Sequence, residues 1–586
     1  MVSKMHICYL YVNDYYVLKD IGLTFDDRFV FRTEDGVLHI SKNEEALPKN
    51  FWGMGVYSLT AIVGNNGSGK STALRLMKKL FVDGEPRDVD VDVAIVYEQQ
   101  GVLYIYNPYH LQIDCERGIE YSVIRERYRI ETLYYSGHFQ PYTGAEGELE
   151  LSGSYDASDA WLLIKDLLDY SNVDTYHLSE PIYNHLSAYY AQNNYRICET
   201  LLLDGLDALL PTFRLPEYVL LAPNRGGWNA IKLDRFGRFK NLNLPEEKYT
   251  TKDLRDKALE RFIYYDVVNL IAEGKVRAES MVGLLKAWFE VPKDGNVAAT
   301  FKDWVERSKI AEEEKMPLEA VAYVIGRVDG LCDFDTNSGT FFIDIKKNAE
   351  RLRDLVKEVL RVRYFLTARF FDIFYGHGIT GYQRLSSGEL EMLNLLSRLY
   401  YFITLLPQRI DNKESPRLLL IDEAEIGFHP DWQRQYIKIL TEFVGCLMVK
   451  AGVDFQIVIT SHSPIILSDI PVSCINFLRR EGDVTCLVTD ERQTFSENVF
   501  NLYRRAFFME KGLIGEFANK KLEGIQKAIA DNRVTEETRQ QIELIGDERI
   551  KGYFLKQLST KDVDAEIRYH EDRLRELKLK KEKRDE

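Results

Sequence analysis

Apolar and polar positions recur with different periods along this chain, and the changes of period mark its parts. Up to residue 144 the period is close to two. Thr24–Arg32 and Val37–Ile40 alternate as half-buried strands do, and Ser58–Val63 is an apolar run of the length a buried strand has. Gly64 then opens a glycine-rich turn. Beyond it, Ser71–Leu80 places Leu74, Leu76, Met77 and Leu80 on one helical face. From about 145 to 375 the spacing turns helical, as in Ala160–Asp169 and Leu352–Phe374, without the sustained heptads of a long coiled coil. This stretch predicts a compact, mostly helical insertion with two small hairpins, near Asn224–Phe239 and Phe334–Ile345. Residues 376–490 return to strand–helix alternation: Leu390–Phe402 reads as a strongly apolar helix, and Leu418–Ile421 and Ile457–Thr460 as buried strands. The remainder is helical and increasingly charged up to Arg573–Glu586. Its last helix carries Ile567, Leu574 and Leu577 on one side, either a docking face or a solvated tail. Four parts follow: 1–144, 145–375, 376–510 and 511–586.

Composition changes this picture in few places. A chain of 586 residues is too long for one core, and 45% hydrophobic residues suffice to bury several. A net charge of -15 argues against a chain that coats nucleic acid through a general positive field. Contact with nucleic acid then needs a local patch. The candidate is Arg225–Lys240, where basic residues including Arg225, Arg235 and Arg238 interleave with Trp228, Phe236 and Phe239. The seven cysteines are scattered without a CxxC pair, which indicates neither a disulfide framework nor a zinc site. No apolar run approaches the ~18 residues of a membrane span, and the first residues lack a signal-peptide layout. A cytoplasmic protein with no membrane partner is expected.

Four segments carry candidate chemistry, in a fixed order. Gly64-Asn-Asn-Gly-Ser-Gly-Lys70-Ser71 sits between a strand and a helix, the context a phosphate loop requires. Gly64, Gly67 and Gly69 let the backbone of Asn65, Asn66 and Ser68 curl into a nest of N–H groups at a helix start. Lys70 supplies a point charge for the β- and γ-phosphates. The Ser71 hydroxyl suits Mg²⁺, with Thr72 next to it in the same nucleotide-binding run. In Leu385-Ser-Ser-Gly-Glu389, residues Ser386, Ser387, Gly388 and Glu389 offer a second anion-binding helix start. Leu418-Leu-Leu-Ile-Asp422-Glu423 ends a buried strand on two acids: Asp422 to hold Mg²⁺, and Glu423 to act as general base on the attacking water. Thr460-Ser-His462-Ser463 ends another strand, and His462 is either structural or a hydrogen-bond donor that senses the γ-phosphate. Gln140, closing Leu133–Gln140, is a candidate to couple Mg²⁺ to the insertion or a plain strand-end glutamine. Together these residues describe an ATPase using ATP and Mg²⁺.

The four motifs resemble those of the ABC-type ATPase superfamily that includes the SMC, RecF and overcoming-lysogenization-defect proteins. Residues 1–144 and 376–510 carry the likeness. The resemblance implies an α/β fold: an ABC-type ATPase head, a mixed sheet with a P-loop and flanking helices, interrupted by the helical insertion and followed by a helical extension. It also implies an ATP-dependent homodimer in which the Ser386–Glu389 tip of one copy caps the nucleotide of the other. More narrowly, Leu47–Trp52, Tyr134–Ser136, Thr494–Phe500 and Phe507–Phe517 resemble the ATPase subunits of Septu-type anti-phage defence, including the form that accompanies retrons. That likeness implies a separately encoded HNH-type nuclease as partner, and in the retron form a reverse transcriptase with its msDNA. The chain departs from Rad50-like proteins in having no CxxC hook. It departs from overcoming-lysogenization-defect nucleases because Ile475–Val488 reads as a plain hairpin, with Glu481 and Asp483 as turn acids rather than a Toprim site. No nuclease is expected in this polypeptide. Two functions remain: an ATP-driven switch that controls a nuclease, or a DNA-binding repair or clamp ATPase using the basic hairpin.

Overall fold

The alternating segments form strands where each can bury one face, and the continuous apolar runs form strands covered on both. The chain opens with β1 (His6–Tyr15), β2 (Leu18–Thr24), β3 (Phe29–Glu34), β4 (Val37–Lys42) and β5 (Val56–Gly64). The helix Lys70–Phe81 follows, then β6 (Asp92–Gln99), β7 (Val102–Tyr106), β8 (Gln112–Cys115), β9 (Glu120–Ile124) and β10 (Thr132–Ser136). Later come β11 (Tyr218–Pro223), β12 (Asp333–Asp335), β13 (Thr340–Asp344) and β14 (Phe371–Gly376). The last strands are β15 (Leu418–Asp422), β16 (Phe455–Ser461), β17 (Ile475–Glu481) and β18 (Val484–Val488). The computed structural model describes residues 5–81, 91–137, 156–159, 162–163, 182–210, 213–232, 239, 242–247, 249, 251–272, 274, 276–293, 295–363, 371–380, 384–409, 417–488, 492–506, 514–559 and, near the end, 567, 571, 573–575 and 578.

Eleven strands make one mixed sheet in the order β10-β15-β16-β5-β17-β18-β2-β1-β6-β7-β9. The first five run parallel, and β15 and β16 are buried along their whole length, as parallel strands covered on both faces must be. The other half mixes antiparallel pairs with the parallel pairs β18–β2 and β7–β9, and it curls back over the parallel half. Although four strands separate β16 from β1 in the sheet order, the Gln456 carboxamide of β16 hydrogen-bonds Ile7 of β1, donating to its carbonyl at 2.7 Å and accepting from its N–H at 3.0 Å. Asn476 of β17 likewise bridges the N–H and carbonyl of Thr24 at 3.0 and 2.9 Å. The helix Lys70–Phe81 lies inside this curl. Its Leu74, Met77 and Leu80 pack in one core with Ile7, Leu10, Leu418, Val458 and Leu478. The first and third parts of the chain are thus interleaved, with β5 between β16 and β17.

In the middle part the strands join in a four-stranded antiparallel sheet, β12-β13-β11-β14, besides the helices, where two separate small hairpins are expected. Helical spacing over Leu352–Phe374 covers two elements: the helix Ile345–Arg363 ends, and the aromatic Phe371-Asp-Ile-Phe-Tyr-Gly376 pairs with β11 as a strand. The hairpin expected at Phe334–Ile345 corresponds to β12 and β13. The one expected at Asn224–Phe239 does not form in the described residues: Gly226–Lys232 is a helix, started by the Asn224 side chain accepting the Gly226 N–H at 2.8 Å. Residues 233–238 of that segment lie outside the described residues.

The chain divides into two compact units, residues 1–502 and 503–586. In the second, helices Glu516–Ala530, Glu536–Glu543 and Glu548–Ser559 pack around Ile525, Ile529, Ile542 and Phe554. Among the described residues no helix is long and apolar enough to cross a membrane.

Candidate functional site

The parallel half of the sheet positions the site. Strand β5 runs parallel between β16 and β17, so the three strands end at one edge of the sheet. In open α/β sheets ligands bind outside the carboxyl ends of the strands. The glycine loop fills that position. A Cβ on Gly64 would stand 2.0 Å from the Leu478 carbonyl oxygen, so no other residue fits there. Gly67 and Gly69 have φ of 76° and 93°, the left-handed region that glycine occupies without strain. The loop is held from behind by the β17–β18 hairpin, where the Thr485 hydroxyl donates to the Ser68 carbonyl at 3.0 Å.

Lys70 is buried and folds back over the loop, its Nζ donating to the carbonyls of Gly64 at 3.1 Å and Asn65 at 3.2 Å. Burial draws the ammonium below its ordinary value, against the opposing pull of the Glu423, Asp422 and Glu425 carboxylates. Those three acids are therefore its electrostatic neighbours. Two buried oxygens of the loop, Ser68 Oγ and Asn65 Oδ1, have no hydrogen-bond partner. An unsatisfied buried polar group costs about 1–3 kcal/mol; the Ser68 hydroxyl can turn to donate to an anion, whereas the Asn65 oxygen, an acceptor only, suits a donor or a cation. Ser71 and Thr72 are half-buried, while Asn66 and Gly67 face solvent at the tip.

Parallel register brings the other residues to the same edge. Ser136, Asp422 and Thr460 stand side by side at the ends of β10, β15 and β16. Asp422 accepts hydrogen bonds on both oxygens, from the Thr460 hydroxyl and, at 3.3 Å, from the Tyr134 hydroxyl. Glu423 has φ of 47°, a conformation that costs a non-glycine residue about 1 kcal/mol and that clusters at functional sites. Its N–H donates to Thr460 Oγ1 at 3.1 Å, which holds it there. The turn aims its carboxylate at His462, whose Nε2 lies 3.0 Å from Glu423 Oε1. His462 is fixed in turn from its backbone: its N–H and the Ser461 hydroxyl both donate to one oxygen of the buried Glu425. Lys70, Asp422, Glu423 and His462 thus share one edge, a cation beside carboxylates with an imidazole on the half-buried Glu423.

The second expected helix start is built differently. Ser386 caps the helix Ser387–Tyr400 and forms a capping box with Glu389: its hydroxyl accepts the Glu389 N–H, and Glu389 Oε2 accepts the Ser386 N–H at 2.7 Å. His377 Nε2 lies 3.2 Å from the other Glu389 oxygen. Burial pushes the Glu389 carboxyl up, but hydrogen bonds from Ser386 and His377 outweigh it and leave the group below its ordinary value. Ser386 and Ser387 are exposed. Gly388 is buried, and a Cβ there would meet the Gly427 carbonyl at 2.6 Å, so this glycine allows the helix to pack on the turn that follows Glu423. Arg398, fully buried further along the helix, anchors it by donating to the Ala157 carbonyl at 3.0 Å.

Gln140, the remaining metal candidate, lies outside the described residues, as do Arg235, Phe236, Arg238 and Lys240 of the expected basic hairpin. The described part of that segment uses its aromatics internally. Arg225 stacks over Tyr265 at 5.1 Å and Lys232 over Trp228 at 5.7 Å. Sequence reasoning missed Tyr134, Thr460, Glu425 and Thr485. Thr460 and Glu425 carried a hint, as polar residues inside or just past the strand-end motifs, and Tyr134 opens a segment with family likeness; Thr485 reaches the site through strand pairing alone.

Comparison with known proteins bears on part of this site. Residues 333–468 match the family described as "AAA domain, putative AbiEii toxin, Type IV TA system". That span contains Ser386–Glu389, Asp422, Glu423 and His462 and excludes the glycine loop. An AAA domain is a nucleotide-binding ATPase domain, in accord with the large mixed sheet and its helices. The chain is also similar to Protein ea59 of Escherichia phage lambda, 28% identical over 142 residues. The likeness covers 24% of this chain and 24% of that protein, so the chain spans about a quarter of the curated relative's length.

Proposed function

We propose that this chain binds ATP with Mg²⁺ at the carboxyl edge of β5, β15 and β16 and hydrolyses its γ-phosphate. The observation that carries the reading is the convergence of Lys70, Asp422, Glu423 and His462 on one edge, beside a glycine loop curved by the left-handed Gly67 and Gly69. The loop N–H groups and Lys70 bind the phosphates, and residues Gly64 to Thr72 form the cradle. Ser71 and Asp422 would hold Mg²⁺, which supplies charge neutralisation between the phosphates. Asp422 fits that part because Thr460 and Tyr134 hydrogen-bond its carboxylate and fix its direction. Glu423 orients the attacking water and accepts its proton, while His462, with Nε2 3.0 Å from Glu423, steadies the carboxylate and would donate a hydrogen bond to a γ-phosphate oxygen.

The exposed Ser386–Glu389 tip supports an arrangement in which two copies meet face to face and each tip closes the other's cleft. Its own capping box is complete and both serines face solvent, so the tip is a finished surface that a second copy can meet. In the cell, the reading is an antiviral switch: the ATP-bound dimer of a Septu-type or retron-associated defence complex controls a separately encoded HNH-type nuclease. The motif likeness and the toxin-system description of the matching family support it. The test is direct. The purified chain should release phosphate from ATP only with Mg²⁺ and should co-purify with the product of the neighbouring gene. Absence of ATP binding sinks the first part, and failure to co-purify sinks the second.

A further inference from the structure

The β17–β18 hairpin carries a cation to the nucleotide loop from the flank opposite the carboxylates. Leu478 of β17 pairs in register with Gly64, where β5 ends. Side chains two residues apart on a strand share a face, so Arg480 extends past the sheet alongside the loop. Its Nη1 lies 3.7 Å from the position a Cβ on Gly67 would take. Arg480 Nε donates to the Gly482 carbonyl at 2.9 Å, and Nη2 lies 3.6 Å from Asp483 Oδ1 in the turn of the hairpin. Asp483 is fully exposed and Arg480 is 43% exposed, so water screens this pair and holds it weakly. The hairpin itself is firm: Thr485 is buried and tied to Ser68. A rigid arm thus presents a loosely held guanidinium at the rim of a phosphate nest.

Resting on the ATP reading above, we infer that Arg480 is a nucleotide-binding residue that grips the non-transferred phosphates. Asp422, Glu423 and His462 stand on β15 and β16, on one side of β5, and Arg480 stands on β17, on the other. The reacting γ-phosphate belongs to the first flank and the α- and β-phosphates to the second. Arg480 releases Asp483 and forms charge-assisted hydrogen bonds to phosphate oxygens, a role guanidinium geometry fits. An interaction made equally by ATP and ADP is uniform binding, which changes KM and not kcat.

The experiment is titration of the full chain with fluorescent ADP and Mg²⁺, together with steady-state ATP hydrolysis. Arg480→Ala should raise the ADP Kd and the ATP KM by the same factor, about tenfold, while kcat changes by less than about twofold. Its ADP binding should also depend less on salt, as expected on losing one cation from a phosphate contact. Arg480→Lys should recover part of the loss, and Asp483→Asn should tighten ADP about twofold by freeing the guanidinium. Parental ADP affinity in Arg480→Ala overturns the inference. Should that variant not fold, unchanged affinity in Asp483→Asn overturns it instead. If the parent chain itself binds no nucleotide, the ATP reading is what has failed, and this role falls with it.

Discussion

At the start of the Lys70–Phe81 helix the backbone is buried, two oxygens lack partners, and the lysine folds onto its own loop. At the start of the Ser387–Tyr400 helix the serine and glutamate satisfy each other, and the serines face solvent. Both are helix N-termini with glycine and serine, and both bring N–H groups and a positive dipole end to an anion. The first has unmet hydrogen-bonding capacity inside the molecule. The second is complete as it stands and exposed, so whatever it adds must come from a meeting with something outside. Their glycines differ in the same sense. Gly67 and Gly69 shape a backbone curve, whereas Gly388 clears space for the Gly427 carbonyl.

Breaking the buried side should have the larger effects. Glu423→Gln should lower kcat by about a thousandfold, because the amide cannot take the water's proton, while ATP stays bound. Size-exclusion chromatography with ATP should then show the dimer accumulating, and single-turnover assays the lost chemistry. Lys70→Ala should weaken ATP by about a hundredfold through loss of a buried charge from the phosphate site, read by the same nucleotide titration. If both variants hydrolyse ATP like the parent, the roles given to the two residues are wrong.

The exposed side should answer in stability and assembly before chemistry. Gly388→Ala drives a methyl group into the Gly427 carbonyl and should destabilise the first unit by about 2 kcal/mol, seen as a lower denaturant midpoint. Ser386→Ala removes the cap and should cost about 1 kcal/mol, with nucleotide binding by the isolated chain unchanged and ATP-driven self-association weakened. Equal loss of ATP affinity in Ser386→Ala and Lys70→Ala would erase the distinction between the two helix starts.

Much of this was legible in local sequence. The apolar run, glycine loop and amphipathic helix around Gly64–Ser71 lie within one supersecondary unit, so periodicity alone placed them. The Ser386–Glu389 spacing is a capping-box signature and formed one. Asn224–Phe239 was misread because basic and aromatic alternation resembles a strand. Its described residues start a helix at the Asn224 turn, with Lys232 over the Trp228 ring and Arg225 over the Tyr265 ring of a neighbouring helix. Phe371–Gly376 was hidden by helical spacing upstream, and only its pairing with β11 decided it.

By itself the sequence determined which residues stand at the strand ends and helix starts, because caps, glycine turns and hydrophobic periods act over a few neighbouring residues. Only the tertiary structure decided what those ends face. Parallel pairing of β10, β15 and β16 delivers Tyr134 and Thr460 to Asp422, and β17 beside β5 delivers Thr485 and Arg480 to the loop. Such pairings join segments from 38 residues apart, as Thr460 and Asp422 are, to 417 apart, as Thr485 and Ser68 are. They are selected by burial of whole strand faces and by the curl of the sheet around the Lys70–Phe81 helix, which no local pattern encodes.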